Sequence, residues 1–284
     1  MDRKIIFNRM RRNPFFMIGV VGSVFIVLMM VLAPVITHYD PLTNSLMDRF
    51  IAPEYLSNNG LEGHVLGTDQ LGRDVFTRLL YGGRYSLVIA LVVVCLQVLI
   101  GTTLGLCAGF FGGWVDAVVM RLCEVFLAIP PMIMAVAVMA VFGASLSNLI
   151  VVLVITGWVH CCKVTRNNVL VVKKQEFVHA SQVLGAKKGH IMFKQILPNV
   201  LTSIIIIGTQ RIGMSILAEA GLSFLNLGIQ PPTPSWGNMI SVGRAYLTTQ
   251  PWMVFAPGVA MMITVLSFNM LGDGLRDVLD PKQL

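Results

Sequence analysis

The residues most suggestive of chemistry are a few charges set among apolar side chains. Arg211 lies about a dozen positions into an apolar run at residues 200–220, and Glu219 follows eight residues later, about two helical turns along. A charge at that depth in a membrane is costly, so it faces a bundle interior or a water-filled path. Arg211 and Glu219 are therefore candidates for lining a water-filled path through the bundle. The alternative is an ion pair with a helix of a neighbouring subunit. A direct bridge between the two would need both side chains extended.

Catalytic chemistry is not indicated. No G-x-x-x-x-G-K-[ST] phosphate cradle occurs, so any ATP energy has to arrive from a partner. His38, His64, His160, His179 and His190 show no ligand spacing. The five cysteines form no C-x-x-C and are odd in number, which favours buried free thiols over a disulfide framework. No resident cofactor or metal is expected.

Two polar stretches remain. Residues 66–79 bring Gly67, Thr68, Asp69, Gly72, Arg73 and Asp74 together; such Asp and Gly chemistry holds a turn of its own, or touches substrate or a delivering protein. Residues 169–198 form a basic loop. Within it Phe177, Ala180, Ser181 and Leu184 repeat at three and four, predicting a short helix with one mildly apolar face, which Gly185 is placed to end. Glu176, His179, Leu197 and Pro198 complete this candidate contact for an energy-supplying partner. The bland alternative is a solvated connector lying on anionic lipid.

A membrane frame must position all of these. Of 284 residues, 55% are hydrophobic and 12% charged, against about 25% charged in soluble domains; the bilayer is the expected solvent. The net charge of +7 comes from basic residues at the ends of apolar runs, with no aromatic-interleaved stripe, so nucleic acid is not an expected partner.

Six spans are predicted. A segment at 1–14 precedes the first span at 15–37, which is too long for a secretory signal and stays as an anchor. A polar, acidic loop follows at 38–84. Five helices then fall within 85–275, and a tail occupies 276–284. The second span, 85–115, sets Gly101, Gly105 and Gly109 on one face for close helix approach. Gly112-Gly113 turns into the third span, with a kink at Pro130-Pro131. A turn at 143–148 leads to the fourth, ending near His160; the fifth lies at 200–220 and the sixth within 245–272. Arg121 and Glu124 read as a local i,i+3 pair. Positive-inside charge bias puts the first segment, the basic loop and the tail in the cytoplasm.

Four blocks in order resemble the permeases of binding-protein-dependent ABC importers, in particular the C-type subunit of the dipeptide, oligopeptide and nickel branch. His179-Ala180-Ser181 stands where that family has Glu-Ala-Ala, with Gly185 four residues after Ser181 and Ile196-Leu197-Pro198 as the close. Residues 66–79 are similar to its LGTDxxGRD signature. Residues 220–237 and 268–281 resemble two further blocks, with Asn226 where Gly is usual.

The resemblance implies an all-α polytopic membrane protein of six transmembrane helices with the type I ABC importer permease fold. It implies a translocation path for peptides or a nickel or metal-chelate ligand. It also implies a second permease completing a heterodimer, two ATP-binding subunits holding ATP and Mg²⁺, an extracytoplasmic substrate-binding protein, and surrounding membrane lipid of the bacterial inner membrane. A rival, an ion-gradient-driven secondary transporter, would need paired internal repeats, which the sequence does not display.

Overall fold

A capping side chain and a proline set the first element. Asn13 accepts the Phe16 amide at 3.0 Å and Pro14 opens the helix, so α1 runs Pro14–Val31, continued past Leu32 by one turn, Ala33–Ile36. The computed structural model describes residues 9–53 and 63–279. Arg3 and Lys4 of the basic segment, Glu54 and Glu62 of the acidic loop, and Asp280-Pro281 of the last block lie outside the described residues. Among the described residues no strand forms; Thr68 and Asp74 make an isolated antiparallel bridge.

The second helix, α2, covers Val75–Phe111 and so starts ten residues before the boundary predicted at residue 85. Asp74 caps it, accepting the Thr77 amide at 2.6 Å, and Arg78, which reads as a loop charge, is buried on the Pro41 carbonyl at 2.7 Å. Hydropathy marks the part of a helix that lies in lipid and is blind to a polar first turn held by its own cap. The fourth span is likewise longer than predicted. Its helix, α5 (Leu146–Val172), runs twelve residues past His160, carrying Lys163 and Arg166.

Between them the kink expected at Pro130-Pro131 is a full break. Helix α3 (Gly113–Ala128) and α4 (Pro131–Phe142) meet at 84°. Each proline drives the residue before it out of the helical region, and two in succession leave Ile129 and Pro130 both extended. The chain continues through α6 (Glu176–Val183), a helical run at Lys188–His190, and a π-turn at Ile191–Ile196 that feeds α7 (Leu197–Phe224). Helix α8 (Trp236–Gly243) and α9 (Trp252–Leu279) complete it. Among the described residues five helices are long and apolar enough to cross a membrane, and counting the broken α3–α4 pair as one span gives six.

Close approach of backbones holds the frame. The predicted glycine face of α2 packs on α5: a methyl group at Gly101 would sit 2.6 Å from the Trp158 carbonyl, and Gly105 and Gly109 are pressed against Cys162 and Val169 in the same way. Helix α1 closes on α9 by the same device, with Gly19 against Leu271 and Gly274 against Phe16. Asn226 has φ 60°, the left-handed conformation that Gly adopts freely and Asn tolerates, so the turn survives the exchange of residue.

The charge distribution distinguishes two ends. One, called here the basic end, carries Gly112-Gly113 and residues 173–198. The other, the acidic end, carries residues 38–53 and 63–74, the 143–148 turn and the segment between α7 and α9.

Candidate functional site

Arg211 sits in the middle of α7, half-buried between α2 and α5. Its Nε and Nη2 both donate to Gln97 Oε1 at 3.3 Å, and Nη2 also donates to the Gly157 carbonyl at 3.2 Å. Gln97, itself buried, donates to the Leu153 carbonyl at 2.7 Å. Three helices are thus joined by one polar triangle at mid-span. Gly157 makes it possible: a Cβ there would stand 2.5 Å from Arg211 Nη2 and collide with the Gln97 amide. Among the described residues no carboxylate pairs with Arg211.

Glu219 does not share that environment. It is fully buried inside the chain, receiving Ser86 Oγ at 3.1 Å and Ser223 Oγ at 2.6 Å, with the Ser235 hydroxyl on the same carboxyl. Ser235 caps α8, accepting the Asn238 amide at 3.1 Å. Glu219 therefore ties α8 to α2 and α7, and its bonds are to serines and not to Arg211. The sequence shows it eight residues from Arg211 but cannot show that serines on three separate segments converge on it.

At the acidic end the motif of residues 67–74 folds on itself. Asp69 accepts the amides of Leu71 and Arg73 at 2.8 and 3.1 Å and Arg73 Nε at 2.7 Å, with Arg78 Nε at 3.6 Å. Thr68 donates to the Asp48 carbonyl at 2.5 Å and accepts the Ile51 amide at 2.8 Å. Asp74 caps α2 and meets His64 Nδ1 at 2.9 Å. Gly67 and Gly72, with φ of 72° and 73°, allow Ile51 and Ser45 to approach where a side chain would stand. Thr68, Asp69, Arg73 and Asp74 are all buried, so the groups named in the motif are engaged inside the loop.

At the basic end α6 does the opposite. Only Val178 is buried, packed with Ile191, Met192 and Ile196 of the π-turn, while Gln195 donates to Ser181 Oγ at 2.7 Å. The helix ends as predicted at Gly185, φ 77°: Ala186 N–H bonds the Ser181 carbonyl and Gly185 N–H that of Gln182, each at 3.0 Å. The face predicted to be apolar turns outward. Leu184 is 86% and Val183 88% exposed, beside exposed Glu176, Phe177, His179 and Ala180. Leu197 joins the core beneath and Pro198 opens α7. Val178 was not legible, because one buried residue in eight sets no period.

Another connection missed from sequence is Asp116 with Arg166, 50 residues apart, a two-pronged pair at 2.9 and 2.5 Å that ties α3 to α5. Arg121 and Glu124 form the expected local pair at 2.9 Å, both exposed. Among the described residues no group of three or more His, Cys, Asp or Glu side chains could hold a metal ion.

Residues 101–284 match the family described as the binding-protein-dependent transport system inner membrane component, and residues 3–53 match the N-terminal TM domain of oligopeptide transport permease C. The dipeptide transport system permease protein of Alkalihalophilus pseudofirmus is 38% identical over 276 residues, 97% of this chain and 88% of the relative. The oligopeptide transport system permease protein of Bacillus subtilis is 40% identical over 274 residues, 96% and 88%. The glutathione transport system permease protein of Pectobacterium atrosepticum is 43% identical over 227 residues, 80% and 75%. A bundle of five long apolar helices and one broken pair, matched over nearly its whole length by such permeases, belongs to the family of binding-protein-dependent transport system inner membrane components, with the type I ABC importer permease fold.

Proposed function

We propose that this chain is one of two permease subunits of an importer for peptides, and that α6 is the part through which ATP hydrolysis moves the membrane helices. The form of α6 carries the reading. It is fastened to the π-turn below α7 by Val178 and Gln195, and it projects Phe177, Val183 and Leu184 away from the bundle. Apolar side chains exposed on a polar, lysine-rich surface are the mark of a protein contact. A push on α6 is delivered through the π-turn directly into α7, the helix that bears Arg211.

In this reading two ATP-binding subunits, holding ATP and Mg²⁺, take α6, and a second, different permease completes the path. The basic end is cytoplasmic by the excess of Lys over residues 173–194, with the segment before α1 and the tail beyond α9 on the same side. A binding protein delivers cargo at the acidic end. Peptide cargo is favoured over a nickel or metal chelate because the relatives named above carry dipeptide, oligopeptide and glutathione in their names. Arg211, half-buried with neutral acceptors only, is the group placed to meet a cargo carboxylate.

Uptake of labelled dipeptide into vesicles containing the assembled complex and its binding protein tests this. Accumulation is expected with ATP and not with an ion gradient alone. Gradient-driven uptake without ATP would restore the secondary-transporter rival.

A further inference from the structure

A cavity of about 640 Å³ opens at the acidic end, where the chain leaves α1. Its wall includes Tyr81 and Tyr85, one turn apart on α2, and His38, Tyr39 and Asp40 on the strap after Ala33–Ile36, with Pro234 closing the far side. The strap is held in place by its own bonds. Asp40 accepts the Leu42 amide at 2.8 Å, an Asx turn, and Tyr39 stacks on His64 with ring centroids 4.7 Å apart.

Three groups of this lining, Asp40, Tyr81 and Tyr85, lack partners of matching chemistry. Among the described residues no cation pairs with the Asp40 carboxylate, and the Tyr81 and Tyr85 hydroxyls make no hydrogen bond. The nearby guanidinium of Arg78 is turned away, onto the Pro41 carbonyl at 2.7 Å and towards Asp69 at 3.6 Å. The cavity therefore presents one anionic acceptor and two hydroxyl donors against aromatic walls. That is the complement of a zwitterion whose cation sits by a carboxylate and ring faces while its anionic oxygens accept from hydroxyls.

Apolar surface continues from the same place. Val31 and Val35, flanking the lining residue Pro34, are 60% and 74% exposed, and Val88 and Val92, at three and seven beyond Tyr85 on the same face of α2, are 53% and 42% exposed. Tyrosines with a polar tip and an apolar body mark the depth where headgroups meet acyl chains.

We propose that this cavity binds the headgroup of a phospholipid carrying a primary ammonium. The ammonium lies on Asp40, phosphate oxygens accept from Tyr81 and Tyr85, and the acyl chains run along Val31, Val35, Val88 and Val92.

The test uses the chain purified with its partner subunits from nanodiscs of phosphatidylethanolamine and phosphatidylglycerol in equal amounts, with retained lipid measured by mass spectrometry. Several-fold enrichment of phosphatidylethanolamine is expected, reduced to parity by Asp40→Asn and lowered by Tyr81→Phe with Tyr85→Phe. Headgroup competition on the unmodified complex gives the same answer without any variant: N-acetylated phosphatidylethanolamine, which has lost its ammonium charge, should compete no better than phosphatidylglycerol. Equal retention of the two lipids, full competition by the acetylated lipid, or displacement by soluble dipeptide would each overturn the proposal. So would a variant that keeps its lipid preference but loses delivery by the binding protein, because the cavity would then be a protein-docking site.

Discussion

The loop at residues 67–74 and the segment at residues 176–185 that contains α6 are both short, polar and charged in sequence, yet they fold in opposite senses. In the loop, Thr68, Asp69, Arg73 and Asp74 are buried and bonded to one another, to backbone or to His64. In the helix, one valine is buried and the apolar tips of Val183 and Leu184 are left in solvent. Motif residues that satisfy one another hold a fold together, and motif residues left open are available to a partner. A sequence block is silent on which of the two it is.

The comparison is broken most readily at Asp69. Replacement by Ala leaves Arg73 and Arg78 buried without their carboxylate, a loss of about 3–5 kcal/mol, and assembled complex should fall sharply in yield and melting temperature. Normal yield with selective loss of cargo binding would make the loop a ligand site. Leu184→Asp is the opposite test. The side chain is exposed, so the amount of this chain in the membrane and its melting should stay unchanged, while ATP-driven uptake drops more than tenfold and ATPase subunits are recovered poorly with it. Unimpaired uptake would remove α6 from the coupling route.

Smaller effects sharpen the distinction inside the bundle. Glu219→Ala leaves three serine hydroxyls unpartnered around a new cavity and should cost about 2–4 kcal/mol. Glu219→Gln keeps the shape and most of the bonds, so its melting curve should stay near that of the parent. Equal damage from both would mean that the negative charge itself matters. Gly157→Ala pushes Gln97 and Arg211 apart at an expected cost of about 1–3 kcal/mol, and changes the ranking of cargoes if Arg211 faces the path. Arg121→Gln, removing an exposed i,i+3 pair, should alter stability by less than about 0.5 kcal/mol.

Much of the frame is legible in the sequence. Apolar runs, glycine spacing on α2 and the Gly185 stop each follow from local rules, and each is found where expected. Helix ends were not, because a window of hydropathy sees lipid and misses both the capped first turn of α2 and the polar last turns of α5. The double proline was visible, but its angle was not, since the 84° bend depends on two consecutive residues leaving the helical region. For the candidate site, Arg211 was found by its depth alone. Its actual partners, Gln97 and the Gly157 carbonyl, are 114 and 54 residues away and carry no charge that would draw attention to them. The serine enclosure of Glu219 escaped notice for the same reason.

The embrace of α1 by α9 has a consequence for how the chain is made. Asn13 and Asp277, bonded at 3.2 Å across that seam, are 264 residues apart. At roughly 5–20 residues per second a ribosome needs about 13–50 s to travel that distance. During that interval α1 is in the membrane with its partner unmade, its glycine face open to lipid or to any other helix that offers a groove. Ordering of α1 is therefore a late event of biogenesis, and a chain halted before α9 should display that face to the quality-control proteases of the membrane.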